Sequence, residues 1–168
     1  MPGTFELLII IHVVGTILGV GAATFLEIFL NKSLADGKME PVEGSFMKTT
    51  TTTLRVGLLI SVISGVGLIF MYRLNNQMNL LYNPILWAKF TILGVLLVNA
   101  LLLQAHKIPL WAGSALSFVS WWMVFYYGMV SRGPKEPYIE LMFYYVIALV
   151  VGAFLLEGLR RLHGIKLM

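Results

Sequence analysis

Cysteine is absent from this sequence, which excludes disulfides, iron–sulfur clusters and thiolate metal sites. Charge is scarce as well. Only 12% of the residues are Asp, Glu, Lys or Arg, about half the share carried by a soluble domain. Three histidines spread along the chain do not make a zinc site. No glycine-rich turn opens a helix as a phosphate cradle would, and no Ser–His–acid set gathers at one depth. The basic residues form no stripe interleaved with aromatics, so nucleic acid is not an expected partner.

What remains is apolar. The 168 residues are 58% hydrophobic, with a mean hydropathy of +0.85, and five runs can each cross a hydrocarbon core, which takes roughly 20 helical residues. They cover about 5–30, 54–72, 85–105, 108–130 and 138–159. The runs lack the alternation of a barrel, and lipid leaves backbone groups no partner outside the chain, so helices follow. The expected fold is all-α: a single transmembrane domain over 1–168, five helices in a bundle. The first run is too long for a signal h-region and lacks a basic n-region, so it reads as a retained span.

The connections carry the remaining signals. Asn31–Thr53 reads as the longest loop, with the threonine run Thr49–Thr53 at an interface and one of them as an N-cap. Asn83-Pro84 is a helix start. With the N-terminus outside, Lys32, Lys38, Lys48, Arg55, Lys107, Arg160, Arg161 and Lys166 fall inside, against Arg73, Arg132 and Lys135 outside. The excess favours an outer N-terminus and a cytoplasmic C-terminus in the inner membrane.

An ionisable side chain in a span costs roughly 2.5–3.5 kcal/mol, so each needs a partner or a purpose. His12 lies a third of the way into the first span. At i, i+3 and i+7 it shares a helix face with Gly15 and Gly19. That face suits a flat macrocycle with His12 on its iron, or else a neighbouring helix packed closely with His12 hydrogen-bonded across the contact. Lys89, Met123, Tyr126, Tyr127, Met142, Tyr144 and Tyr145 come to a similar depth. Glu27, Arg55 and Glu157 lie at the opposite end, where Arg55 can bridge both carboxylates. His106 shares that inner level, so it cannot face His12 across one haem. A second haem on His106 would leave His163 as its nearest histidine.

Pro84-Ile-Leu-Trp87-Ala-Lys89, opening a long apolar helix, together with His12-Val-Val-Gly15 in the first, resembles a loose group of small bacterial membrane proteins. The group includes the HemJ-type protoporphyrinogen oxidases and the copper-resistance D family. The resemblance covers the first three helices. It implies a b-type haem in a helical bundle, with His12 as a ligand and Lys89 functionally important.

Three expectations follow. In the first, the chain is a membrane b-type haem protein in electron transfer, served by an electron-transfer partner in the membrane. His12 ligates iron, Gly15 and Gly19 make room, Met123 or Met142 stands opposite, and Lys89 and Tyr126 meet a propionate or substrate. In the second, Lys89 is the catalytic candidate of a porphyrinogen or quinol oxidoreductase with a quinone or porphyrin substrate. In the third, nine methionines serve a copper-related transporter, or the chain is a cofactor-free accessory subunit. The face carrying Gly57, Ser61, Ser64 and Gly65 offers a contact for a second copy in a homodimer.

Overall fold

The computed structural model describes residues 2–35, 40–131 and 136–162. Among them every regular element is a helix: α1 (Pro2–Ala35), α2 (Pro41–Leu74), the short α3 (Met78–Leu81), α4 (Pro84–Gln104), α5 (Leu110–Val130) and α6 (Tyr138–Leu162). Four of them, α1, α2, α4 and α6, are long and apolar enough to cross a membrane. Their outward faces are apolar too: Ile10, Ile17, Leu59, Ile63 and Phe154 are all exposed. A soluble monomer does not present so large an apolar surface, so this is a helical membrane bundle.

The long first loop is not there. α1 runs on to Ala35 and α2 already begins at Pro41, so the threonine run sits inside a helix. Each hydroxyl of Thr50, Thr51, Thr52 and Thr53 donates to the carbonyl four residues back, at 2.8 to 3.1 Å. That bond satisfies a side chain which would otherwise favour a turn. The N-cap is Glu40, in a reciprocal capping box with Glu43 and with Pro41 in the first turn. α1 and α2 are thus 34 residues each, about 51 Å at 1.5 Å per residue.

They pair as an antiparallel hairpin in one register. Phe29 stacks on Phe46 at one end and Phe5 meets Tyr72 edge-on at the other, with ring centroids 5.8 and 5.6 Å apart. Between these ends, Leu26 and Leu30 enclose Met47, and Gly19 and Gly15 back onto Gly57. The buried residues of α2 are Met47, Gly57, Ser61, Ser64 and Leu68. Gly57, Ser61 and Ser64, expected to pair with a second copy, are therefore used within the protomer.

α5 lies at the centre, packed on α1, α4 and α6, whereas α2 packs on α1 and α3. Its buried residues include Ser114, Ser117, Ser120, Trp121 and Tyr127, polar and indole groups that keep its mean hydropathy below that of α1, α2, α4 and α6. Ser120 and the Tyr145 hydroxyl share a hydrogen bond of 2.7 Å inside this core. The start of α4 follows its sequence signal: the Asn83 side chain accepts from the Ile85 amide at 3.0 Å, and Pro84 follows.

Candidate functional site at the His12 end

His12 sits on the α1 face turned to α2. Its Nδ1 lies 3.0 Å from the Ser61 carbonyl oxygen and 3.1 Å from Ser64 Oγ. A carbonyl can only accept, so Nδ1 carries the proton and donates. Ser64 Oγ spends its own proton on the Ile60 carbonyl, 2.6 Å away. The lone pair is then on Nε2, which makes no hydrogen bond among the described residues. Gly65 lies beside the imidazole, where a Cβ would stand 3.4 Å from its Cε1, an ordinary contact.

The glycine face is filled. A Cβ on Gly15 would lie 2.7 Å from Ser61 Oγ and 2.8 Å from the Ser61 amide nitrogen. One on Gly19 would lie 2.2 Å from the Trp121 ring, and Trp121 is completely buried. Gly57 presses its backbone on the other side of Gly19. Among the described residues, the space beside Gly15 and Gly19 is taken by α2 and by an indole. The haem expectation loses its cofactor-binding face, although the protonation of His12 leaves a nitrogen of the kind a metal takes.

Lys89 stands in the second turn of α4, half-buried. It lies within electrostatic reach of the His12 imidazole, and it makes no ion pair or hydrogen bond among the described residues. The other expected members go elsewhere. Met123 lies two positions from Trp121, about 200° around the helix, and therefore turns away from α1. With Met142 it packs on the core of Ile85, Ile92, Tyr127 and Tyr145 between α4, α5 and α6. Met123 is a core filler there and does not face His12. Tyr126 is exposed and stacks obliquely on Tyr127, with centroids 5.9 Å apart. The single polar cluster expected at this depth thus divides across α5, and only His12 and Lys89 stay together.

The opposite end differs in its partners. Arg55 is exposed, since it lies on the side of α2 away from α1. The buried ion pair is Glu27 with Arg160, which also donates from Nε to Asn31 Oδ1 at 2.9 Å. Both Nη atoms lie 3.5 Å from the Trp111 carbonyl. Glu157 pairs instead with Arg161 along α6, at 2.9 Å. Arg160 was legible as a basic residue ending a span, but not as one folded back into it.

His106 is exposed, with φ 52°, at the turn that ends α4. Its amide donates to Leu103 O and that of Lys107 to Leu102 O, the two bonds of a Schellman cap. His163 lies outside the described residues. Among the described residues, no three His, Cys, Asp or Glu side chains gather as a metal site.

The sequence matches no family model. No curated protein and no solved structure matches it either.

Proposed function

We propose that this chain spans the inner membrane five times, N-terminus outside and C-terminus in the cytoplasm, and binds the acidic group of a membrane-soluble amphiphile at His12 and Lys89. α5 is the fifth span. Its 21 residues reach about 31 Å, and three packed neighbours shelter the serines that lower its apolarity. The Lys and Arg excess sets the orientation, which puts the His12 end at the outer leaflet.

One observation carries the binding reading: an ammonium in a span, within electrostatic reach of an imidazole and with no carboxylate paired to it among the described residues. A cation so placed is unfavourable until an anion joins it. The Lys89 ammonium supplies the charge for a carboxylate or phosphate. The His12 ring is held through Nδ1 by the Ser61 carbonyl, and its Nε2 adds an acceptor that becomes a second donor when protonated. Lys89→Met keeps the length of the side chain and removes the charge. In proteoliposomes the wild type is expected to bind a fluorescent fatty acid or a fluorescent phosphatidic acid saturably, and Lys89→Met to lose the binding. Whichever probe binds distinguishes carboxylate from phosphate. Equal binding by wild type and variant overturns the proposal.

A b-type haem is the second reading, favoured by the Nδ1–Ser61 bond, which leaves Nε2 available to iron. Its ring would need a face other than that of Gly15 and Gly19, and Lys89 would meet a propionate. An absorption spectrum decides it: a Soret band lost in His12→Ala supports haem, and a colourless membrane-purified protein rejects it.

A further inference from the structure

α2 packs on α1 and α3, and its buried residues lie along one face. The opposite face carries Lys48, Thr52, Arg55, Leu59 and Val62, all exposed. At i, i+4, i+7, i+11 and i+14 they form a single stripe. The stripe passes from charge to hydrocarbon with depth. Phe46 stacks on Phe29, close to Asn31, which Arg160 reaches from the end of α6. Arg55 stands nine residues further along α2, about 13 Å deeper in the hairpin, and Lys48 about 10 Å nearer that end than Arg55.

Neither cation has a counter-charge. Lys48 and Arg55 make no ion pair or hydrogen bond among the described residues, where the carboxylates Glu27 and Glu157 are taken by Arg160 and Arg161. Glu43, five positions before Lys48, falls about 140° around the helix and accepts from the Glu40 amide in the capping box. Thr52 offers no donor, since its hydroxyl is spent on the Lys48 carbonyl at 2.9 Å. A guanidinium exposed at this depth is unfavourable in hydrocarbon until it reaches an anion. Both side chains are long enough to extend toward the headgroups while their stems stay on the apolar face.

We infer that Lys48 and Arg55 hold the phosphate of an anionic phospholipid, with an acyl chain lying along Leu59 and Val62. The cations stand two helical turns apart on one face, within reach of a single phosphate, and a guanidinium pairs with phosphate oxygens through two parallel hydrogen bonds. The apolar continuation of the stripe suits a chain and has no use for a soluble anion. A choline headgroup would bring its own cation against Lys48, which selects an anionic lipid. This site is separate from Lys89, and neither proposal depends on the other. Only its assignment to the inner leaflet rests on the proposed orientation.

The sequence has no cysteine, so Val56→Cys gives the full chain one attachment point for a bimane fluorophore. Val56 is exposed beside Arg55 and off the stripe. The labelled protein is placed in liposomes mixing phosphatidylglycerol with phosphatidylcholine, one of the two brominated in its acyl chains. Quenching then gives the relative affinity of the two lipids at this face, and because both leaflets carry the mixture the result does not depend on orientation. Phosphatidylglycerol is expected to be preferred about tenfold. Lys48→Gln with Arg55→Gln should bring the ratio to about one, whereas Arg55→Lys should keep a preference. Lys32→Gln, which removes an exposed cation of α1 at the same end, should leave the ratio unchanged. Equal quenching by the two lipids overturns the inference, as does a preference that survives the double substitution. A loss in Lys32→Gln as large as in the double variant also overturns it, since the preference would then belong to the general field of this end.

Discussion

The six-membered ring of Trp121 occupies the space a side chain on Gly19 would fill, 2.2 Å from where its Cβ would stand. Gly57 bears on the same residue from the other side, its own Cβ position 2.7 Å from the Gly19 amide nitrogen. α1 is thus clamped between α2 and the central α5 at a point where neither neighbour has room to yield. Overpacking of this kind costs typically 1–3 kcal/mol. Gly19→Ala and Gly57→Ala are both expected to lower the thermal midpoint in detergent, with Gly19→Ala also shifting the tryptophan emission. Gly21 and Gly158 meet nothing within 4 Å. Alanine at either is expected to raise the midpoint slightly, by the helix preference of up to about 1 kcal/mol. If all four variants behave alike, the close contact is not what these glycines serve.

Glu27 and Arg160 are both buried, so each is the other's main compensation. Removing one partner of such a pair costs about 3–5 kcal/mol, because the remaining charge stays buried. Replacing both with neutral groups costs far less. Arg160→Leu is therefore expected to be the most destabilising of the set, and Glu27→Gln with Arg160→Leu to recover most of the loss. The measurement is unfolding in mild denaturant, read by circular dichroism. A double variant no better than Arg160→Leu would show that the pair is not the source of the penalty.

The same pair shows what the sequence could and could not disclose. Depth along a span is readable, because it follows from counting residues, and the Lys89 charge does come within electrostatic reach of His12. Direction around a helix is not readable until the neighbours are known. Met123 and Trp121 lie on the same turn of α5, yet one faces the α4–α6 core and the other α1. Arg55 and Arg160 compete for Glu27 by depth alone, and the facing of α2 decides for Arg160. The threonine run misled for a local reason. Low helix propensity marks it as loop, while the pairing with α1 holds it helical and back-bonding to the preceding turn satisfies the hydroxyls there.

His106 adopts the left-handed conformation at the end of α4, where glycine is the usual residue. A side chain there costs roughly 1 kcal/mol. Nothing in its exposed surroundings compensates, since only its backbone amide is bonded. His106→Gly is expected to stabilise the protein or leave it unchanged, and to leave any ligand binding intact. Were the variant to lose a bound chromophore or metal, the histidine would be a ligand after all.

His12 separates structure from function by magnitude. Its hydrogen bonds to Ser61 and Ser64 join α1 to α2, but a side-chain hydrogen bond between membrane helices contributes only about 0.6 kcal/mol on average. The hairpin has its aromatic ends and glycine contacts besides, so His12→Leu is expected to shift the thermal midpoint by little. Loss of amphiphile binding in His12→Leu, with the midpoint nearly unchanged, places Nε2 at the ligand. A fall of several kcal/mol in stability would instead make the imidazole a strut of the hairpin, leaving Lys89 alone to recognise the anion. Ser64→Ala, which removes one of the two acceptors and leaves the Ser61 carbonyl in place, is expected to preserve both stability and binding.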